Sequence, residues 1–385
     1  MTKNPQILRA SLIFTAVVSI MIVGVQPIFI GLLVERLALT LSQQGWVISI
    51  EMAGMALGTL LTPPLAKRFS GRNLCLVTVL VNVLCNLLSA HADSLSLLML
   101  SRLASGTCAG LLYAYAVCGI GRLPGQDRSF GFMLLLQTPI YSLYAAALPV
   151  IAAVQSVEIA LYTFAGWALL IGVACLNIPK NLDVLAQSDS SPEARSGCAI
   201  IGRFSLVGML FLQVAIYCVW GFIDQMGRDR GICAVDIGWA FGVGTVGGLP
   251  GALLPSVLGA RVQRGLMIAI GSLAVLVATG LLTGYSRDAN ELLVAITLLN
   301  FGWVLALSYY MSSVTTNDPN GNLTPLVSIT LMVAAALTPA LIALLMQETD
   351  RPLIFLVASS ALIVGLIFKW VGTVYSRRAL SRLSI

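Results

Sequence analysis

Charge is what this chain lacks most. Only 10% of its 385 residues are Asp, Glu, Lys or Arg while 58% are hydrophobic, and a soluble domain carries roughly 25% charged residues. An ordinary water-soluble globule is excluded. Histidine is nearly absent, His91 being the single one, and no His/Cys/carboxylate group has metal-ligand spacing; neither a metal nor another cofactor is expected. Of the eight cysteines, Cys75, Cys85, Cys108, Cys118, Cys175 and Cys218 lie in or beside apolar runs and read as small core residues. Cys198 and Cys233 fall in loops assigned to opposite membrane faces, so a disulfide framework is not expected. There is no P-loop, no dinucleotide fingerprint and no Ser/His/Asp constellation. His91 with Asp93 at a helix end is the one pair that keeps a polytopic membrane enzyme open as a reading.

What the chain has is apolar length. Runs broken by Gly, Pro, Asn and charge clusters fall at 11–34, 43–64, 73–91, 94–119, 129–153, 157–177, 202–226, 235–258, 265–285, 290–314, 323–346 and 352–374. At about 20 residues per span, twelve spans use about 240 residues and leave no room for a soluble domain. The first run is too long for a signal-peptide core and has no cleavage site, so it reads as a retained helix. With the N-terminus inside, sixteen basic residues, from Lys3 and Arg9 through Lys369 to Arg382, fall on the inner face. Five fall outside: Arg36, Arg228, Arg230, Arg287 and Arg351. That asymmetry predicts a multi-pass protein of the cytoplasmic (inner) membrane with both termini cytoplasmic. It also explains the net charge of +6 as topology, with the lipid bilayer and no nucleic acid as partner.

The longest polar stretch, 178–201, separates six spans from six. The expected organisation is an N-terminal six-helix bundle (1–177), a cytoplasmic linker (178–201) and a C-terminal six-helix bundle (202–385). The halves echo each other about 190 residues apart: Gly58-Thr-Leu-Leu-Thr-Pro63 with Gly251-Ala-Leu-Leu-Pro255, and Ala145-Ala-Ala-Leu-Pro149 with Ala334-Ala-Ala-Leu-Thr-Pro339. Basic loops, Lys67-Arg68-Phe-Ser-Gly71-Arg72 and Arg261-Val-Gln-Arg264, follow the first pair. Parallel six-helix repeats are an architecture of secondary transporters.

On these features the chain resembles the major facilitator superfamily over essentially its whole length. The loop Leu65-Ala-Lys67-Arg68-Phe-Ser-Gly71-Arg72 looks like that family's motif between spans 2 and 3. It departs in having Lys67 where Asp is usual and Pro63 where Gly is usual, and Gly71 fits only with a one-residue shift. Arg102-x-x-x-Gly106-x-x-x-Gly110 is similar to the family's fourth-helix motif without gaps. The glycine-rich fifth-helix motif of drug-proton antiporters is missing; Gln137-Thr-Pro139-Ile-Tyr141 stands there. The resemblance implies an all-α polytopic fold of twelve transmembrane helices in two bundles, with spans 1, 4, 7 and 10 lining a central cavity.

Glu51 lies about eight residues into span 2, roughly 12 Å deep at 1.5 Å per residue, and Arg102 enters span 4 from the same side to the same depth. A charge at the centre of a helix costs about 2.5–3.5 kcal/mol on insertion scales, so the two are expected to pair, either as a proton-coupling switch or as a fixed structural ion pair. Asp224, near the outer end of span 7, is a further coupling candidate or a wetted helix-end carboxylate. Asn82 and Asn86 on span 3 read as interhelical glue. Polar and aromatic residues recur at steps of three, four or seven: Thr15, Ser19 and Gln26 on span 1; Gln137, Tyr141 and Tyr144 on span 5; Gln213, Tyr217, Trp220 and Asp224 on span 7; Asn300, Trp303 and Tyr310 on span 10. Tyr113 shares the Arg102 face of span 4. Such stripes face protein or water: Gln26, Tyr113, Gln137, Tyr141, Tyr217, Trp220, Asn300, Trp303 and Tyr310 are the candidate substrate-binding set, with helix-to-helix hydrogen bonding as the other reading. Spans 9 and 12 have almost no stripe and read as lipid-facing. Gly54, Gly58, Gly106, Gly110, Gly244 and Gly248 stand in small-x-x-x-small steps that let helices approach closely.

Amides, hydroxyls and aromatic rings with one buried cation favour a small neutral or amphipathic organic solute over phosphate or nucleotides. The expectation is a monomeric secondary transporter, not an enzyme, working by alternating access with protons as partner. Efflux by antiport comes first and proton-linked uptake of a sugar or other small metabolite second; a transport-dead receptor is a third reading.

Overall fold

The structure is a computed structural model, and its described residues are 5–121, 126–178, 199–258, 261–284, 288–317, 323–345 and 351–383. They form sixteen helices and no strand. The chain divides into two compact units, Met1–Ser190 and Ser191–Ile385. Residues 179–198, most of the expected linker together with Cys198, lie outside the described residues.

In the first unit, span 1 consists of α1 (Pro5–Ser19), α2 (Met21–Gly24) and α3 (Gln26–Leu37). Spans 2 to 6 are α4 (Leu41–Arg68), α5 (Gly71–Ala90), α6 (Leu95–Gly121), α7 (Gln126–Val154) and α8 (Val157–Cys175). In the second, span 7 is α9 (Ala199–Trp220) with the short α10 (Ile223–Arg228), and span 8 is α11 (Ala234–Thr245) with α12 (Gly248–Leu258). Spans 9 to 12 are α13 (Arg264–Thr283), α14 (Ala289–Thr316), α15 (Thr324–Leu345) and α16 (Arg351–Leu383). Ten stretches are long and apolar enough to cross a membrane; the broken span 1 and the shorter apolar helix of span 11 complete the twelve. The chain is an all-α polytopic membrane protein.

Polar side chains start several helices where the hydropathy changes. Thr40 and Gln43 form a capping box at α4, Thr40 Oγ1 accepting from the Gln43 amide at 3.3 Å and Gln43 Oε1 from the Thr40 amide at 3.0 Å. Ser156 caps α8 and Asp288 caps α14 in the same way, each satisfying an amide that the first turn leaves open.

The continuous run 11–34 is interrupted twice, at Ile20 and Val25. Pro27 has no N–H to offer the turn before it. The ring of Tyr141 from α7 presses on Gly24, where a Cβ would collide with it, and the Tyr141 hydroxyl donates to the Val17 carbonyl at 2.6 Å. One residue of span 5 thus wedges span 1 open and occupies a carbonyl beside the break.

Glycines set the closest packing. Gly54 and Gly58 of α4 lie on the Leu103 and Thr107 carbonyls of α6, and Gly106 and Gly110 of α6 lie on the Glu51 and Met55 carbonyls of α4. A Cβ at any of the four would strike backbone. The arrangement recurs 193 residues on: Gly247 and Gly251 lie on the Thr297 and Phe301 carbonyls of α14. Exposed apolar residues at helical spacing, such as Val77, Leu80, Leu84 and Leu88 on α5, Leu266 and Leu273 on α13, and Leu356, Ile363 and Ile367 on α16, mark faces suited to lipid. Span 12 nevertheless departs from its featureless reading. Lys369, counted from sequence among the cations wetted at the inner face, is buried within the second unit, donating to Ser205 Oγ of α9 at 2.9 Å and to Ser313 Oγ of α14. Two hydroxyls thus satisfy a cation whose burial would otherwise be costly.

Candidate functional site

The charged centre of the first unit is assembled by the α4–α6 glycine contact. Because Gly106 rests on the Glu51 carbonyl, the two backbones come close enough for Arg102, one turn before Gly106, to reach Glu51: Nη1 to Oε1 is 3.3 Å, with both side chains 1% exposed. The guanidinium also donates from Nη2 to Asn86 Oδ1 at 2.9 Å, and its carbon stands 5.0 Å from the centre of the Phe29 ring, a cation–π arrangement. Asn86 Nδ2 and Ser105 Oγ both donate to Asn82 Oδ1, at 3.0 and 2.9 Å. Asn82, Asn86 and Ser105 therefore belong to the same network as the ion pair. Glu51 Oε2 and Arg102 Nε have no hydrogen-bond partner. A cavity of about 30 Å³ adjoins both residues, walled by Ser19, Asn82, Asn86, Ser105 and, on α8, Trp167 and Ala168.

Other expected residues of this unit are placed differently. Gln26, the first residue of α3, is 1% exposed and neither its amide nitrogen nor its oxygen is paired. Tyr141 is engaged at the break in span 1; Gln137, one turn earlier, makes a side-chain hydrogen bond with it, and Tyr113 lies within electrostatic reach. Tyr144 bonds Thr163 Oγ1 at 2.5 Å and packs edge-on against Phe164 and Trp167. Of the loop motif, Lys67 and Arg68 are exposed at the end of α4, Gly71 is buried beneath the Tyr115 hydroxyl, and Arg72 Nε donates to the Ile178 carbonyl at 2.9 Å beyond the end of α8. Arg36 links the end of α3 to the Ala90 carbonyl, to Asp93 (3.4 Å) and to Glu158 (3.4 Å).

The second unit holds an aromatic cluster. Trp303 stands edge-on to Tyr217 and Trp220, ring centres 6.0 and 5.2 Å away, and Trp220 packs on Phe241 at 5.2 Å. Trp303 Nε1 donates to Gln213 Oε1 at 2.8 Å. The span 10 stripe does not stay together. Asn300 turns back to the Ile296 carbonyl (2.9 Å), and Tyr310, 1% exposed, reaches the Gly365 carbonyl of α16 (3.3 Å) and packs on Gly208. Asp224 is 2% exposed and paired with Arg228 at 2.6 Å; its reading as a wetted helix-end carboxylate is corrected, because α10 folds it inward as the partner of a cation four residues on. Arg230 donates to the Leu282 carbonyl near the end of α13.

His91 and Asp93 form no dyad. His91 Nε2 bonds the Tyr162 hydroxyl at 2.9 Å and its ring stacks on Tyr162, while Asp93 goes to Arg36. Sequence reasoning missed Phe29, Ser105, Trp167 and Lys369 as members of these clusters. Only Ser105, three residues from Arg102 and so on its face, carried a signal that could have found it.

Residues 12–176 match the family described as sugar (and other) transporter. Over 116 residues the chain is 31% identical to the niacin transporter NiaP of Acinetobacter baylyi, a stretch that is 30% of this chain and 26% of that protein; the chain thus spans about a quarter of the length of the curated relative it matches. Solved structures share the fold. A bacterial homologue of the iron transporter ferroportin in an inward-facing state has a TM-score of 0.71 at 16% identity, covering 96% of this chain and 99% of that one. The nucleoside transporter NupG has a TM-score of 0.70 at 12% identity, covering 94% and 98%. Relatives and fold alike are those of transporters, not enzymes.

Proposed function

We propose that this chain is a multi-pass membrane transporter of the major facilitator superfamily, and that it moves a small organic solute across the cytoplasmic membrane by alternating access coupled to protons. The observation that carries the reading is the Glu51–Arg102 pair. Burial disfavours a charged carboxylate and a neighbouring arginine favours it, so a small change in their separation is enough to take up or release a proton. A proton crossing the membrane is worth about 2.3 kcal/mol per 100 mV, sufficient to concentrate a neutral solute more than tenfold.

Export of the solute against incoming protons is the first reading, with Glu51 and Arg102 carrying the coupling and Asp224 as the reserve carboxylate. Import of a small metabolite together with a proton is the second, and the family description and the niacin- and nucleoside-named relatives support a metabolite of that size as the solute. Gln26 in the first unit has an unpaired buried amide suited to a polar solute group, and in the second unit the Tyr217–Trp220–Trp303 cluster with Gln213 has the rings and the amide suited to an aromatic one. Tyr113, Gln137, Tyr141, Asn300 and Tyr310 shape the surrounding helices. Both termini are assigned to the cytoplasm on the basic-residue asymmetry, and the working unit is a monomer.

Proteoliposomes carrying an internal pH dye test this reading. Glu51→Gln should abolish proton-driven solute movement yet leave solute exchange down its own gradient largely intact, because Gln keeps the size and hydrogen bonding but cannot titrate. The sign of the accompanying pH change separates export from import. Unchanged uphill movement by Glu51→Gln would reduce the pair to structural glue.

A further inference from the structure

The cavity beside Glu51 lies wholly within the first unit, and its walls are not those of a dry packing defect. Ser19 comes from α1, Asn82 and Asn86 from α5, Ser105 from α6, and Glu51 and Arg102 stand at its edge. Glu51 Oε2, an acceptor, and Arg102 Nε, a donor, are fully buried and unpaired. Empty cavities in proteins are apolar, whereas a polar one holds water once it exceeds about 10–15 Å³ and offers two to four partners. This one has about 30 Å³, and the two residues at its edge carry a donor and an acceptor that no protein group satisfies.

We propose that the cavity is a resident water site, holding one or two molecules that complete the hydrogen bonding of Glu51 Oε2 and Arg102 Nε and serve as the immediate proton donor and acceptor for Glu51. A water can accept from Arg102 Nε and donate to Glu51 Oε2 at once, which a single protein side chain in this network does not do. For proton uptake, a hydrated proton delivered to that water passes to Oε2, leaving a neutral carboxylic acid and a neutral water; release runs the same step backwards. The cavity also borders Val18, Ser19, Met21 and Ile22, the residues on either side of the Ile20 break in span 1. Bending at that break changes the shape of the chamber that feeds Glu51 with protons. The site rests on the proton-coupling role given to Glu51 and adds the ligand through which that role is exercised.

Filling the cavity without touching its polar groups tests the proposal. Ala168→Leu fills it from α8 and Ala109→Leu from α6, so a variant that fails to insert is replaced by one acting from the opposite wall. Each filled variant should lose at least tenfold in the initial rate of proton-driven transport, with solute exchange unchanged. A crystal structure of the parent at water-resolving resolution should show density within hydrogen-bond distance of Glu51 Oε2 and Arg102 Nε, absent from the filled variant. A dry cavity in the parent, or full proton-driven rates in both filled variants, would overturn the water site. If Glu51→Gln is uncoupled while the filled variants are normal, the water site alone fails; if Glu51→Gln stays coupled, the reading beneath it fails.

Discussion

Two pairs of helices in this molecule are built on one plan and finished differently. In the first unit α4 and α6 meet through Gly54 on Leu103 and Gly58 on Thr107; in the second, span 8 and α14 meet through Gly247 on Thr297 and Gly251 on Phe301. At the position corresponding to Glu51 the second unit has Gly244, and at the position corresponding to Arg102 it has Ile296, whose Cβ packs where a Gly244 side chain would be. The ends of the units correspond as well, Arg36 holding the last carbonyl of α5 and Arg230 the Leu282 carbonyl near the end of α13. The close backbone approach therefore does not require the charge pair, since the second unit achieves it with a glycine and an isoleucine. The charge pair of the first unit is thus not what that approach calls for, which supports the coupling role proposed for it.

The largest break in this comparison is Arg102→Ala. It strands a fully buried carboxylate, and removing one partner of a buried pair costs about 3–5 kcal/mol; thermal unfolding in detergent should register the loss. Next comes the exchange of the two finishes: Glu51→Gly together with Arg102→Ile writes the second unit's residues into the first. The double variant should recover most of the stability lost in Arg102→Ala, since no charge remains to be compensated, while proton-driven transport stays absent. A smaller effect is expected in the aromatic cluster. Trp303→Phe removes the indole donor and leaves Gln213 Oε1 unpaired, costing about 1–3 kcal/mol, and solute affinity measured by equilibrium binding should fall several-fold with coupling unaltered. The smallest effects should come from Arg36→Ala and Arg230→Ala, each of which removes a guanidinium bond to a helix-end carbonyl, Arg36 also losing its surface contacts with Asp93 and Glu158. Equal losses in the two would sharpen the correspondence between the units, and a loss in only one would break it.

Much of this is legible in the sequence because membranes punish ambiguity. Counting residues from the helix ends is enough to match Glu51 with Arg102, and steps of four are enough to pick out Gly54, Gly58, Gly106 and Gly110. Lys369 is not legible in that way: its partners Ser205 and Ser313 lie 164 and 56 residues away, and a lysine near the end of an apolar run looks like any other interfacial cation. Asn82 and Asn86 read as glue because helix spacing identifies a polar face but not which charge it meets. The break in span 1 is hidden for a different reason. Hydropathy is blind to backbone geometry, and Tyr141, which packs at the break, sits on span 5.

That break has a mechanical consequence when taken together with Arg36. A rod cut near its middle and pinned at its far end has one degree of freedom left, bending at the cut. The outer segment Gln26–Leu37 is fastened at Arg36 to the Ala90 carbonyl, Asp93 and Glu158, and the inner segment Pro5–Ser19 is gripped at Val17 by Tyr141. Deformation of span 1 is thereby concentrated into residues 20–25, a segment about 9 Å long at 1.5 Å per residue, so a displacement that would be spread harmlessly along an intact helix becomes an angle at one point.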